Sequence, residues 1–159
     1  MVVKQAELSH LDEIMRVLKI AQQFMVQSGN PNQWEVGYPS KEMILADIKA
    51  KNGYILIEGE EVCGYFAFII GVDPTYGYIE GEWLSDAIYG TIHRIASDQS
   101  RKGLFKQAIA YCLTKCNHLR IDTHADNAVM QKLISREGFS YCGSIYIDDG
   151  TPRLAYERI

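Results

Sequence analysis

Residues 92–105 read Ile92-His93-Arg94-Ile95-Ala96-Ser97-Asp98-Gln99-Ser100-Arg101-Lys102-Gly103-Leu104-Phe105. The stretch opens as a strand, passes through a polar, basic turn holding one glycine, and enters an amphipathic segment. Leu104, Phe105, Ala108, Ile109, Cys112, Leu113 and Cys116 recur at helical spacing after the turn. A strand, tight turn and helix in this order place the first backbone N–H groups of the helix at the end of the strand, without partners inside the helix. The helix dipole adds positive potential there, so the turn is a candidate seat for a phosphate-bearing ligand. Arg101, Lys102 and Lys106 add full positive charges, and Gly103 permits a close approach.

Working outward, Val2 to Leu8 reads as a short strand, and Ser9 as the N-cap of a helix with Asp12 and Glu13 in its first turn. Leu11, Ile14, Met15, Leu18, Ala21 and Met25 form its apolar face, and Ser28-Gly29-Asn30-Pro31 ends it. A loop over 30–39 carries Trp34 and Tyr38, and Ser40 caps a second helix. Tyr54–Glu58 and Val62–Ile70 read as a hairpin about Gly59-Glu60. Tyr78–Trp83 reads as a short strand or a loop, and Ala87–Ser97 as a strand. Leu119–Thr123 is a further strand and Asn127–Glu137 a helix, with Gly138 as its C′ residue. Phe139–Ile147 and Arg153–Ile159 complete the set. The order β-α-α-β-β-β-α-β-α-β-β predicts an α/β (α+β) domain spanning 1–159. It should hold a mixed, mostly antiparallel sheet of six to seven strands with helices on both faces.

Composition narrows the function. The chain has 159 residues, 47% of them apolar, enough for one proper core, and a formal charge of −4. That balance argues against a nucleic-acid partner. Cys63, Cys112, Cys116 and Cys142 form no CxxC pair and read as free thiols; no ligand spacing marks a metal site. No apolar run is long enough for a membrane span, and Lys4 stands where a leader would be apolar; the expectation is a cytoplasmic protein.

The downstream stretch Leu119-Arg120-Ile121-Asp122-Thr123-His124-Ala125-Asp126-Asn127 ends a strand and opens a helix that exits through Arg136-Glu137-Gly138-Phe139. Together with 92–105, this order resembles the Gcn5-related N-acetyltransferase family. The family pattern is a strand, an R/Q-x-x-G-x-G/A turn, a helix, a strand, an Asn-opened helix and a Gly-Phe exit. The turn falls on Ser100-Arg101-Lys102-Gly103-Leu104-Phe105, where Gly103 matches while Ser100 and Phe105 depart from the pattern. Asn127, Gly138 and Phe139 match. The resemblance implies an acyl-CoA N-acyltransferase-like fold, acetyl-CoA as cofactor, and a small-molecule or peptide amine as acceptor. It places the cofactor at Ile95, Ala96, Ser97, Arg101, Lys102, Gly103, Leu104, Phe105 and Asn127. The family often carries a tyrosine four residues before the exit glycine, where its hydroxyl can protonate the leaving thiolate; here that residue is Ile134.

The candidate catalytic residues are Glu82 and His93, groups able to take a proton from the amine. Glu80 joins Glu82 on one side of a strand if that segment is extended. Trp34, Tyr38 and Glu80 are the candidate acceptor-binding residues, since the segments 30–39 and 73–86 are rich in aromatic and acidic side chains suited to a cationic amine. Tyr141 and Tyr146 read as structural, and His10 and His118 as surface residues. Two other readings stay open: a coenzyme A-binding module without transfer, and an oligomeric interaction protein, a homodimer being one form, built on the helix at 104–116 and free strand edges.

Overall fold

The structure is a computed structural model describing residues 1–159. The strands are β1 (Val2–Gln5), β2 (Gly53–Glu58), β3 (Glu61–Ile70), β4 (Glu80–Gly81), β5 (Gly90–Ser97), β6 (Leu119–Thr123), β7 (Ser140–Tyr146) and β8 (Pro152–Arg158). The helices are α1 (Leu11–Gln27), α2 (Lys41–Lys49), α3 (Leu104–Leu113) and α4 (Ala128–Arg136). The strands make one mixed sheet of eight in the order β1-β2-β3-β5-β6-β8-β7-β4. No helix is long and apolar enough to cross a membrane.

Neighbouring residues on a strand point to opposite faces of a sheet. Tyr65 packs with Ile14, Val17, Leu18 and Ile44 beneath α1 and α2, whereas Phe66 packs with Leu104, Ala108, Ile109 and Ile134 beneath α3 and α4. Both faces of the sheet are therefore covered by helices, as the order of elements predicts. Ser40 caps α2 by accepting from the Met43 N–H at 3.2 Å, and Gly138 leaves α4 with φ of 86°, the left-handed conformation that glycine adopts without penalty.

Two expectations are corrected, at Ser9 and His118, and the open reading of 78–83 is decided. Ser9 does not cap α1: Leu8–His10 forms a single 3-10 turn, the Glu7 N–H donates to His10 Nδ1 at 2.9 Å, and the α-helix starts one turn later at Leu11. Within 78–83 only Glu80–Gly81 forms a strand, and there Gly81 and Gly143 face each other across the sheet edge so closely that either Cβ would strike the opposite backbone. His118 is buried, at 4% exposure. Its Nε2 meets the fully buried Glu157 at 2.6 Å, and Arg120 Nε donates to the same carboxylate oxygen at 2.7 Å. The Arg120 guanidinium lies between the rings of Trp83 and Tyr89, 4.0 Å from each centroid. Burial by itself would raise the Glu157 pKa; hydrogen bonds from His118, Arg120 and the Leu84 N–H outweigh it and hold it low.

One irregularity shapes the rest. β5 and β6 are the parallel pair of the sheet, and they pair only at Gly90–Leu119 and Thr91–Arg120. Beyond these the strands diverge. On its other edge β5 carries a bulge, with Arg94 and Ile95 standing opposite Phe66 alone. Arg94 sits at φ of 55°, a left-handed conformation costing a non-glycine residue about 1–2 kcal/mol. Its guanidinium is held by Asp47 of α2, through Nε at 3.0 Å and Nη2 at 2.7 Å, and Tyr65 Oη donates to the same carboxylate at 2.6 Å. Removing one member of a buried ion pair strands the other. Asp47→Ala is expected to lower the unfolding free energy by about 3–5 kcal/mol, and Tyr65→Phe by about 1 kcal/mol, as read from urea denaturation.

Candidate functional site

The divergence of β5 and β6 opens a cleft that runs through the molecule as two joined cavities. The first, of about 550 Å³, lies over the turn at 98–103 and is lined by Ala96, Ser97, Arg101, Lys102, Gly103, Leu104, Phe105 and Lys106, with α4 as its other wall. The second, of about 610 Å³, lies on the far side of β5 and is lined by Trp34, Tyr38, His93, Arg94, Asp122 and Arg153 among others. Met25, Ile95, Asn127 and Met130 line both, so the cavities meet where β5 and β6 part.

The turn of the first cavity is braced from within. Asp98 Oδ1 accepts from the Ser100 N–H at 2.9 Å and from the Ser100 hydroxyl, while Arg16 of α1 reaches Asp98 Oδ2 at 3.3 Å. Ser100 is thus used internally. Gly103 takes φ of 79° and precedes α3 without a side-chain cap, so the first N–H groups of α3 keep no partner in the helix. A Cβ at Gly103 would meet no atom within 4 Å, so the space above the turn is open and the demand for glycine is conformational. Phe105 turns its ring into the core at 5% exposure, leaving its backbone at the cleft. Open space, helix-start donors and the cations Arg101, Lys102 and Lys106 together fit a pyrophosphate.

In the second cavity His93 Nε2 lies 2.9 Å from Asp73 Oδ2. That hydrogen bond is the main reason the Asp73 pKa is lowered, against an opposing effect of burial. An ionised Asp73 requires the proton of this contact to sit on Nε2, which leaves Nδ1 as the acceptor of a neutral imidazole. Asp122, on the diverging part of β6, accepts from Tyr76 Oη at 2.6 Å. Burial raises the Asp122 pKa despite the Tyr76 hydrogen bond and the nearby His93 and Arg153. The cavity therefore holds two groups suited to take a proton, His93 and Asp122.

The loop over 30–39 covers the second cavity and is pinned by Gln33. Its Oε1 accepts from Asn30 Nδ2 and Asn127 Nδ2, each at 2.9 Å, and its carbonyl accepts from Arg153 Nη2 at 3.0 Å. Asn127 also caps α4, taking the Met130 N–H on Oδ1 at 3.0 Å. Its side chain is thus spent on holding loop, helix and junction together.

Of the residues singled out from sequence, the structure gathers Ile95, Ala96, Ser97, Arg101, Lys102, Gly103, Leu104, Phe105 and Asn127 around the first cavity, and Trp34, Tyr38 and His93 around the second. Glu80 and Glu82 are not brought there. Both are exposed, Glu80 on the edge strand β4, where it accepts from Tyr146 Oη at 2.7 Å, and Glu82 just beyond it, where its N–H donates to the Cys142 carbonyl at 3.1 Å. Ile134 is fully buried in the core, and Tyr141 and Tyr146 line neither cavity. Asp122, Arg153 and Gln33 went unmarked in the sequence. For the first two, neither strand singles its residue out, since β6 also carries Arg120 and β8 also carries Glu157 and Arg158.

A scan against family models finds no match, and a search of curated proteins finds none. Solved structures do match. A GNAT-family acetyltransferase from Streptococcus agalactiae 2603 is 34% identical, with a TM-score of 0.87 over 99% of this chain and 94% of that one. A GNAT-family acetyltransferase from Listeria monocytogenes 4b F2365 is 18% identical, with a TM-score of 0.72 over 99% and 93%. The NatC complex bound to Gag peptide and CoA contains a chain that is 13% identical, with a TM-score of 0.65 over 99% and 96%. With one-third identity across essentially its whole length, joined to a split sheet and a basic turn at the head of α3, the chain belongs to the Gcn5-related N-acetyltransferase (GNAT) family of acetyltransferases.

Proposed function

We propose that the protein transfers the acetyl group of acetyl-CoA to an amine of a small molecule or peptide by direct attack. The observation that carries this reading is the meeting of the two cavities at Ile95 and Asn127. One cavity suits a long pyrophosphate-bearing donor, the other an acceptor, and they join only where β5 and β6 part. The CoA-bound relative supports the donor assignment.

When bound, acetyl-CoA supplies an activated thioester carbonyl. The protein's part is placement and charge. Arg101, Lys102 and Lys106, with the N–H groups that open α3, hold the pyrophosphate. Past Thr91, β5 has no strand partner on its β6 side, so its backbone offers hydrogen bonds to a ligand laid along it. Backbone donors near Ile95–Ser97 stabilise negative charge developing on the carbonyl oxygen. The amine must be neutral to attack. Asp122, made more basic by burial, and His93, held by Asp73, are the groups that accept its proton. Ile134 has no hydroxyl and no tyrosine lines the donor cavity, so water supplies the proton for the leaving thiolate.

The reading of a coenzyme A binder without transfer draws on Ile134 and on the departures from the family turn at Ser100 and Phe105. Release of free thiol from acetyl-CoA in the presence of an amine panel separates the two: turnover excludes it, and tight binding without turnover establishes it.

Two outcomes are expected. Gly103→Val forces a β-branched residue into a left-handed conformation at the phosphate seat, so calorimetry should show acetyl-CoA binding weakened at least tenfold, about 1.4 kcal/mol. Asp122→Asn should lower kcat by about 10²–10⁴-fold while raising the thermal midpoint at pH 7. The sign follows from the raised pKa: ionising a buried carboxyl opposes folding, so the penalty grows as pH rises through the folded-state value. Below the ordinary aspartate value of about 3.9 both states are protonated, and thermal unfolding at low pH should show the gain gone.

A further inference from the structure

Arg153 of β8 is a buried cation that makes no salt bridge, although Asp122 and Asp149 lie near enough to feel its charge. It is 6% exposed and lines the acceptor cavity. Its guanidinium donates only to backbone carbonyls, to Gln33 at 3.0 Å and to Pro152 at 3.5 Å. The other guanidinium of that cavity, Arg94, is matched by Asp47 at 2.7 Å. The neighbouring carboxylates are turned elsewhere: Asp149 Oδ1 accepts from the Thr151 N–H at 2.9 Å, and Asp122 Oδ2 from Tyr76 Oη at 2.6 Å. A guanidinium taken out of water normally brings its anion with it, because desolvation of an unmatched charge is costly. Here the fork is left facing a cavity sized for one small molecule.

We propose that the acceptor carries a carboxylate, that Arg153 binds it, and that the substrates are therefore amino acids or close amino-acid analogues. This rests on the acetyl-transfer reading and specifies its acceptor. The register places the two ends of such a molecule. Asp122 pairs with Ala155, and Arg153 lies two residues along β8, so Asp122 and Arg153 share one face of the sheet. Diagonal positions of this kind lie roughly 7–8 Å apart, which suits a molecule whose amine and carboxylate are separated by few bonds. The carboxylate then sits on the guanidinium while the amine sits by Asp122 and His93, facing the junction. Arg153 is a specificity-determining residue, and the Gln33 carbonyl orients it. Glu35, Asp148 and Asp149, which also line this cavity, remain for an ammonium or polar side chain of the acceptor.

The test compares the L-amino acids with their own carboxamides, which keep the amine and remove the negative charge. Free-thiol release should favour the acid over its amide by at least tenfold in kcat/KM. Arg153→Gln should cut kcat/KM for the acid at least tenfold more than for the amide, mainly through KM, and leave acetyl-CoA affinity unchanged; Arg153→Lys should restore part of the preference. Equal or better turnover of the amides overturns the proposal, as does an Arg153→Gln loss that falls equally on both. Calorimetry of the same amino acids with wild-type and Arg153→Gln proteins reads carboxylate binding without any transfer. If acetyl-CoA fails to bind, the acetyltransferase reading falls, and Arg153-dependent amino-acid binding still upholds the carboxylate site. No amino-acid binding at millimolar concentration, with no acid turned over, overturns it.

Discussion

The structure depends on a sheet that stops pairing in its middle. β5 and β6 bond at two residue pairs and then part, and everything functional lies along that separation. A parallel pair left open exposes backbone donors and acceptors that a closed sheet would consume, and such groups demand partners. A ligand that threads the gap can supply them. The bulge at Arg94–Ile95 fixes where the gap is reached from β5, and the buried Asp47–Arg94 pair holds α2 against that bulge. A left-handed arginine persists because a carboxylate and a tyrosine hydroxyl over-determine its position.

Charge balance separates scaffold from site. In the scaffold, buried charges are closed off: Glu157 answers Arg120 and His118, and Asp47 answers Arg94. In the cleft they are left open. Half-buried Asp122 has a hydroxyl as its hydrogen-bond partner and buried Arg153 has backbone carbonyls, while the exposed Arg101, Lys102 and Lys106 gather at one helix start. Incomplete compensation is a standing cost for the fold, and its concentration in one cleft marks the place where ligands complete it.

The departures from the family turn become intelligible once packed. Ser100 gives its N–H and hydroxyl to Asp98, so it braces the loop from inside. Phe105 sends its ring into the core shared with Phe66 and Leu119, so a large residue there does not block the cleft. Ile134 fills that same core, so no hydroxyl stands where the family often carries a tyrosine.

Periodicity and turn chemistry alone determined the elements, because they are local: the α1 face, the Ser40 cap, Gly103 and Gly138 at helix ends, and the strand-turn-helix at 92–105 all declare themselves within a few residues. The donor side of the cleft was legible for the same reason, since one turn and one helix start build most of it. The acceptor side was not. Glu80 and Glu82 looked well placed along the chain, yet the Gly81–Gly143 contact carries them to the sheet edge. Asp122, Arg153, Gln33 and Asp73 come from four separate segments and meet only when β6, β8 and two loops are packed together. His118, polar and unremarkable in sequence, is buried because Glu157 awaits it 39 residues away. Which charges are compensated is a property of pairs distant in the chain, and so only the tertiary structure could decide it.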